Sequence, residues 1–261
     1  MRKLCEDIAN SIENAIRGYI GADDGGKILY MGADGTPTAR IDDVAERAAL
    51  RVLKNDGRSV RLVSEEMGEV VFGSNPEFTI VLDPLDGTYN ALRGIPFYSV
   101  SIAIGKTDLS QIYYGYVKNL VTGDVYAAER DRGALLNGKK IRVSTRKEAD
   151  PYCASIYGCA FAERNFLNQN GKKVRLLGSA ALELCYVAAG KLDAFVDARN
   201  RLRISDVAAG KLIVEEAGGV VTDDFGGVLS NPLMIKERVK IVASNGRIHD
   251  DLLVKLREWN K

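Results

Sequence analysis

The feature that most constrains this chain is an apolar strand that ends abruptly in two carboxylates. Residues 79–82 form a near-continuous apolar run, which is typical of a strand buried on both faces. Pro84 follows closely, and because proline offers no amide we expect it to stop the hydrogen-bonded ladder. Asp83 and Asp86 stand on either side of Pro84, where two like charges repel unless a proton or a cation lies between them. The sequence therefore predicts a buried strand that carries a charged site at its end.

A divalent cation with oxygen ligands resolves this repulsion, and Mg²⁺ is the ion best suited to it. Gly87 lets the backbone approach a ligand closely, and the amides of Gly87 and Thr88 can receive a phosphate oxygen. The alternative is structural, because Asp-Gly is a common turn and Asp83 could serve only as its cap.

Two other acidic sites stand where a buried element is predicted to begin or end. Glu65 and Glu66 follow a predicted strand over residues 60–64, and Asp206 lies in the first turn of a predicted helix over 205–217. Taken separately, the glutamates could be solvated and Asp206 could complement the helix dipole. One converging metal cluster would explain all of these positions together.

Composition narrows the possible chemistry. The 261 residues carry 36 Lys and Arg against 35 Asp and Glu, so no global basic field is available to hold nucleic acid. The single histidine, His249, argues against zinc sites and triads that use imidazole, and its amphipathic helix indicates a surface position. No apolar stretch reaches the roughly 18 residues of a membrane span, and the N-terminus is too acidic for a signal peptide. We therefore expect a soluble, cytoplasmic protein.

The apolar pattern switches between helical and strand periods along the chain. Because strands and helices come in separate blocks, we expect an α+β fold of packed layers. A polar stretch near residues 145–151 predicts one domain over 1–261 with two soft halves, 1–148 and 149–261. The predicted helices cover 2–19, about 41–55, 180–189, 205–217 and the C-terminal segment, and the predicted strands cover 60–64, 78–83, 97–104, 112–118, 124–129, 152–156, 174–177, 194–197, 220–222 and 240–243.

Three motifs together resemble those of the inositol monophosphatase superfamily. They are Ser64-Glu65-Glu66, Asp83-Pro84-Leu85-Asp86-Gly87-Thr88 and Ser205-Asp206-Val207-Ala208-Ala209-Gly210. The sequence looks most similar to the archaeal branch that acts as both fructose-1,6-bisphosphatase and inositol-1-monophosphatase. The resemblance implies a layered αβαβα sandwich, usually dimeric. It also implies a Mg²⁺-dependent phosphomonoesterase that converts fructose 1,6-bisphosphate to fructose 6-phosphate and inositol 1-phosphate to inositol.

Matched motif by motif, the resemblance implies a site for two or three Mg²⁺ ions. The implied metal ligands are Glu65, Asp83, the backbone carbonyl of Leu85, Asp86 and Asp206. The implied phosphate contacts are Asp86, Gly87 and Thr88. The implied sugar or inositol contacts are Arg175, Ala180 and Arg199, although each arginine could instead be an ordinary surface residue. Glu65 and the Thr88 hydroxyl would orient the attacking water.

The chain departs from the family pattern at one position and leaves a second open. Ser205 stands before Asp206 where many members have tryptophan. The family also pairs its threonine with an acid that helps to activate water, and Asp42 and Asp43 are both candidates for that acid. The spacing favours Asp42, although helix capping explains this residue equally well.

Two other functions remain open at this stage. The same superfamily contains phosphatases for 3′-phosphoadenosine 5′-phosphate and for NADP, and the width of the pocket decides between substrates. A Mg²⁺-dependent phosphosugar-binding protein without turnover is the non-catalytic alternative. The threonine and the four candidate carboxylates argue against it, since a binding protein has no need to orient water.

Overall fold

The computed structural model describes residues 1–158 and 172–259. The helices of these residues are α1 (Arg2–Ile16), α2 (Arg40–Asp56), α3 (Thr88–Leu92), α4 (Ala180–Ala188), α5 (Ile204–Glu216) and α6 (His249–Trp259). The strands are β1 (Ile28–Met31), β2 (Pro37–Ala39), β3 (Val60–Ser64), β4 (Gly68–Phe72), β5 (Phe78–Asp86), β6 (Ser99–Gly105), β7 (Tyr114–Asn119), β8 (Val125–Glu129), β9 (Gly133–Leu136), β10 (Lys139–Lys140), β11 (Cys153–Tyr157), β12 (Lys173–Arg175), β13 (Ala194–Arg203), β14 (Val220–Thr222) and β15 (Arg238–Ser244).

These strands form two large sheets and one hairpin. The larger sheet has eight strands in the order β10-β9-β8-β7-β6-β5-β3-β4, and β3 and β5 are parallel neighbours in it. The second sheet has five strands in the order β12-β11-β13-β15-β14, in which β11 is parallel to β12 and β13. β1 and β2 pair only with each other, as an antiparallel hairpin that precedes α2.

Three clusters of buried apolar residues lie between the layers of helices and sheets. α1 and α2 pack on one face of the eight-stranded sheet, since the α1 stripe Ile8, Ile12 and Ile16 is fully buried against strand residues such as Ile80. α4 and α5 lie between the two sheets, and α6 covers the outer face of the five-stranded sheet. The order of layers is therefore helix, sheet, helix, sheet, helix, which confirms the predicted αβαβα sandwich.

Several element boundaries differ from those predicted. α1 ends at Ile16 instead of residue 19, and β13 runs on to Arg203 past a register shift that follows Asp197. The hairpin β1–β2 was not predicted, because its strands are short and all four β1 residues are exposed. Short exposed strands carry little alternation of apolar and polar residues, so the sequence signal for them is weak.

His249 is buried, and the predicted surface position is wrong. It is 4% exposed, and its two ring nitrogens lie 3.0 Å from the hydroxyl oxygens of Thr222 and Ser244. Burial lowers the pKa of the imidazole, because the charged form loses its hydration. The helical pattern could not reveal two hydroxyl partners that come from strands β14 and β15.

Within residues 1–158 and 172–259, no helix combines the length and the apolar character that crossing a bilayer requires.

Candidate active site

Acidic side chains from three separate parts of the chain meet at one point. Oxygen atoms of Glu65, Asp83 and Asp206 all lie within 4.8 Å of one another. Glu65 follows β3 and Asp83 lies in β5, and because these strands are parallel neighbours their carboxyl ends reach the same edge of the sheet. Asp206 reaches this edge from the first turn of α5. The three acids form a cluster instead of three independent caps.

Pro84 does not end β5, contrary to the prediction. The strand continues to Asp86, with Asp83 opposite Ser101 and Asp86 opposite Ser99, so β5 holds one residue more than its partner. Such a β-bulge leaves a residue outside the ladder, which lets a proline without an amide lie inside a buried strand. The bulge bends the strand at the point where it carries both aspartates.

Asp83 has the features of a cation ligand. It is 1% exposed, its Oδ1 accepts the Leu85 amide at 3.0 Å, and its Oδ2 is buried without a hydrogen-bond partner. Burial and the neighbouring charge of Asp86 raise the pKa of Asp83, and burial with the charge of Asp83 raises that of Glu65. A hard divalent ion would satisfy the unpartnered oxygen and offset the repulsion, so these residues fit Mg²⁺.

Asp86 is held from the other half of the chain. Its Oδ2 accepts the Ser179 hydroxyl at 2.5 Å and the Ala181 amide at 2.8 Å, which brings Ala180 beside the site at the start of α4. Burial, together with the charge of Asp206, raises the pKa of Asp86 to about 7. Asp86 therefore holds its proton more tightly than an exposed aspartate does, beside the charges of the cluster.

Thr88 and Asp42 are in direct contact. The Thr88 hydroxyl oxygen lies 2.8 Å from Asp42 Oδ1 and 3.0 Å from the carbonyl oxygen of Leu85. Asp43, the other candidate, instead accepts a hydrogen bond from Tyr30 at 2.7 Å. Burial raises the pKa of Asp42 to about 7, which suits a group that accepts a proton during turnover.

Gly87 links the aspartates to Thr88 in a left-handed conformation with φ +95°. A Cβ atom built there would lie 3.1 Å from the carbonyl oxygen of Phe97 and 3.2 Å from that of Gly178. Glycine is thus required at this position both for its backbone angle and for space.

The two predicted substrate arginines do not contact the acid cluster within the described ranges. Arg175 is exposed on β12, and its guanidinium donates to the Val174 carbonyl at 2.8 Å. Arg199 donates to the buried carboxylate of Asp197 at 2.5 Å and lies over the ring of Tyr157 at 4.5 Å. Arg199 therefore already has an anionic partner inside the protein.

Sequence analysis missed Arg203, which enters the acid cluster. Its guanidinium contacts Glu65, lies 2.7 Å from Asp34 Oδ2 and lies 3.1 Å from Asp206 Oδ1. Its backbone amide also donates to Asp206 Oδ2 at 2.8 Å, which caps α5. The spacing of three residues between Arg203 and Asp206 is the one signal in the sequence that could have linked them.

Glu46 is a second residue that sequence analysis missed. It accepts the Ser64 hydroxyl at 2.5 Å and the amides of Glu66 and Met67 at 3.0 and 3.2 Å, so it shapes the turn that carries Glu65. Burial raises the pKa of Glu46 to about 7. Glu46 lies four residues after Asp42, so both acids lie on one face of α2. That spacing could have linked the two residues from the sequence.

Comparisons with known proteins identify relatives of the whole chain. The chain matches the model of the inositol monophosphatase family over residues 6–260. The fructose-1,6-bisphosphatase/inositol-1-monophosphatase of Methanothermobacter thermautotrophicus is 44% identical over 259 residues, which cover 94% of this chain and 92% of that protein. The bifunctional NADP phosphatase/NAD kinase of Methanococcus maripaludis is 38% identical over 275 aligned positions, covering 97% of this chain and 48% of that protein.

A solved structure supports the same relationship. The crystal structure of an inositol monophosphatase-fructose 1,6 bisphosphatase matches with a TM-score of 0.88 at 34% identity, covering 98% of this chain and 99% of that one. The family match spans nearly the whole chain, and the three acids of the cluster lie within it. This chain therefore belongs to the inositol monophosphatase family.

Proposed function

We propose that this protein is a Mg²⁺-dependent phosphomonoesterase that hydrolyses fructose 1,6-bisphosphate to fructose 6-phosphate and inositol 1-phosphate to inositol. The observation that carries the proposal is the cluster of Glu65, Asp83 and Asp206 with its unpartnered buried oxygen. The relative from Methanothermobacter thermautotrophicus, which bears both activities in its name, supports the choice of substrates.

The proposed metal site uses the acids of the cluster and their neighbours. Two or three Mg²⁺ ions would be held by Glu65, Asp83, the backbone carbonyl of Leu85, Asp86 and Asp206. When bound, Mg²⁺ supplies positive charge that offsets the negative phosphoryl oxygens and makes water more acidic. The protein contributes the fixed positions of its carboxylates, so it has no need to reorganise charge during the reaction.

In this proposal, Thr88 and Asp42 handle the proton of the attacking water. The Thr88 hydroxyl donates to Asp42, which leaves the threonine oxygen free to accept a proton from water. Asp42 can take up the released proton because burial raises its pKa to about 7. Glu65 would help to orient the same water.

The substrate contacts follow from the same geometry. The backbone of Gly87 and Thr88 would receive phosphate oxygens beside Asp86, and Ala180 would border the sugar or inositol ring. Arg175 is exposed, and its guanidinium would contact the anionic substrate by giving up its bond to the Val174 carbonyl. The positive charge of Arg199 is balanced by the carboxylate of Asp197. Arg199 would therefore contact the substrate mainly through hydrogen bonds and the plane of its guanidinium, with little net charge.

A nucleotide substrate is the second candidate. The NADP phosphatase/NAD kinase of Methanococcus maripaludis matches 97% of this chain, although the chain spans about half of that protein. This match favours NADP phosphatase activity over 3′-phosphoadenosine 5′-phosphate hydrolysis as the alternative within the family.

Phosphate release from a substrate panel tests the proposal. We expect release from fructose 1,6-bisphosphate and inositol 1-phosphate with Mg²⁺ and none after chelation, with slower release from NADP and 3′-phosphoadenosine 5′-phosphate. Asp86→Asn is the control, which should fold but lose activity by orders of magnitude. Tight Mg²⁺-dependent binding of the sugar phosphates without release would favour the binding-protein alternative and contradict the proposal.

Three expectations about the whole protein stay predictions. We propose a single phosphatase domain over residues 1–261, and the bonds from Ser179 to Asp86 and from Asn90 to the Leu177 carbonyl support it by joining the two halves. The family resemblance implies a homodimer, and the sequence predicts a cytoplasmic location.

A further inference from the structure

The guanidinium of Arg203 lies among carboxylates that come from three parts of the chain. Asp34 belongs to the turn between β1 and β2, Glu65 follows β3, and Asp206 belongs to α5. The arginine side chain is 21% exposed and that of Asp34 is fully buried, so solvent screens these contacts only weakly. A positive charge is thus built into the acid cluster.

Two of these three carboxylates are also proposed metal ligands. A lone pair of Glu65 or Asp206 that accepts an arginine N–H is not available to a metal ion in the same direction. The guanidinium and a divalent cation would also repel each other at this short range. Arg203 and the metal therefore compete for the same oxygens.

The contacts around Arg203 allow its side chain to leave. Asp34 keeps hydrogen bonds from the Thr36 amide and hydroxyl, both at 2.8 Å, when the guanidinium is absent. Asp206 keeps the bond from the Arg203 backbone amide at 2.8 Å. Withdrawal of the guanidinium therefore removes charge from the cluster without leaving Asp34 or Asp206 unpartnered.

We propose that Arg203 is an internal counter-cation of the metal site. Without metal, Arg203 neutralises the repulsion between Glu65 and Asp206 and ties them to the turn at Asp34. Binding of Mg²⁺ requires the guanidinium to leave these oxygens, so Arg203 weakens Mg²⁺ affinity while it stabilises the metal-free fold. This inference rests on the metal site of the proposed function and assigns a residue that controls its occupancy.

Calorimetric titration of Mg²⁺ into the metal-free full chain, without substrate, tests the inference. Arg203→Gln should bind Mg²⁺ about tenfold or more tightly than the unsubstituted protein, because one competing charge is gone. Arg238→Gln is the matched control, since Arg238 lies opposite Arg203 and donates to the backbone carbonyls of Ile235, Glu237 and Asp34. It should leave the affinity unchanged.

Thermal melting gives a second measurement that does not depend on activity. Without metal, Arg203→Gln should melt at a lower temperature than the unsubstituted protein, and Mg²⁺ should raise its melting temperature by a larger amount. Arg203→Lys keeps the positive charge but cannot donate to several carboxylates in the planar geometry of a guanidinium. Its Mg²⁺ affinity should therefore lie between those of the unsubstituted protein and Arg203→Gln. The lysine variant also provides the comparison with the unsubstituted protein if Arg203→Gln fails to fold without metal.

The outcomes separate this inference from the proposed function. Equal or weaker Mg²⁺ binding by Arg203→Gln, or by Arg203→Lys if the former does not fold, would overturn the counter-cation role and leave the metal site intact. Failure of the unsubstituted protein to bind Mg²⁺ would defeat both. Tighter binding by the variants together with unchanged binding by Arg238→Gln would support it.

Discussion

At the residue scale, the contact between Thr88 and Asp42 offers a direct test of their proposed role in activating water. Thr88→Val keeps the shape of the side chain but removes the hydroxyl that donates to Asp42. We expect kcat to fall by about 100- to 10,000-fold, the range for a lost acid–base contact, with little change in Mg²⁺ affinity. Steady-state kinetics measure this, and Thr88→Ser should retain most activity. A valine variant with nearly normal kcat would remove Thr88 from the mechanism.

The raised pKa values of the buried acids predict how stability depends on pH. Burial raises the pKa of Asp86 to about 7 in the folded protein, whereas an exposed aspartate titrates at about 4. The folded state therefore holds a proton that the unfolded chain releases, and this contribution to stability is lost as pH rises from about 4 through about 7. Asp42, Glu46 and Glu183 act in the same direction.

We therefore expect the metal-free protein to be less stable at pH 8 than at pH 5, by roughly a few kcal/mol. Mg²⁺ should restore stability at pH 8, because it replaces the lost protons. Urea unfolding at both pH values measures the difference, and Asp86→Asn should reduce it. Stability that rises between pH 5 and pH 8 without metal would contradict this account.

The residues of the site differ in how well the sequence predicts them. Asp83, Asp86 and Glu65 were predicted because each stands at or just after the end of an apolar run, where a charge is conspicuous. Arg203 was missed because arginine at the end of a strand is an ordinary surface pattern, and only the fold brings it to Glu65. The position of a partner 138 residues away in the chain is not encoded in local spacing.

At the scale of elements, α4 shows how a buried helix positions the site from the second half of the chain. Glu183 is fully buried and accepts hydrogen bonds from Ser155, Tyr157 and the Leu177 amide at 2.6, 3.0 and 2.8 Å. These bonds fix the segment that leads to Ser179, which in turn holds Asp86. Glu183 of α4 thus helps to position Asp86 by holding the segment that ends at Ser179.

Glu183→Ala should destabilise the protein by about 2–4 kcal/mol, because it leaves buried donors without an acceptor. It should also lower kcat, since the segment that holds Asp86 loses its anchor. Urea unfolding and steady-state kinetics measure the two effects. Glu183→Gln keeps one acceptor oxygen and should be milder in both. An alanine variant as stable and active as the unsubstituted protein would contradict this role.

Long, strongly patterned elements were predictable, and local irregularities were not. The apolar stripe of α2 placed that helix to within a residue at each end, and the buried run of β5 placed the strand as far as Asp83. The bulge at Pro84 was missed because the proline signal indicates an interruption but not whether the chain leaves the sheet or adds a residue. In the structure the chain stays in the sheet, because β5 pairs with β6 on both sides of the bulge.

At the scale of the whole molecule, the layered fold explains why distant acids meet. β3 and β5 end at one edge of the eight-stranded sheet, and α5 begins there because it packs between the two sheets. The layers were predictable from blocks of helical and strand patterns together with the family resemblance. The order of strands was not, since it depends on contacts between parts of the chain far apart in sequence.

The central claim is that Glu65, Asp83 and Asp206 bind divalent metal ions, and crystals grown with Mn²⁺ in place of Mg²⁺ test it most directly. Diffraction recorded at the manganese absorption edge locates each bound ion by its anomalous scattering. The account predicts at least one anomalous peak in contact with these three carboxylates. A map with no peak there, although the crystal contains Mn²⁺, would contradict it.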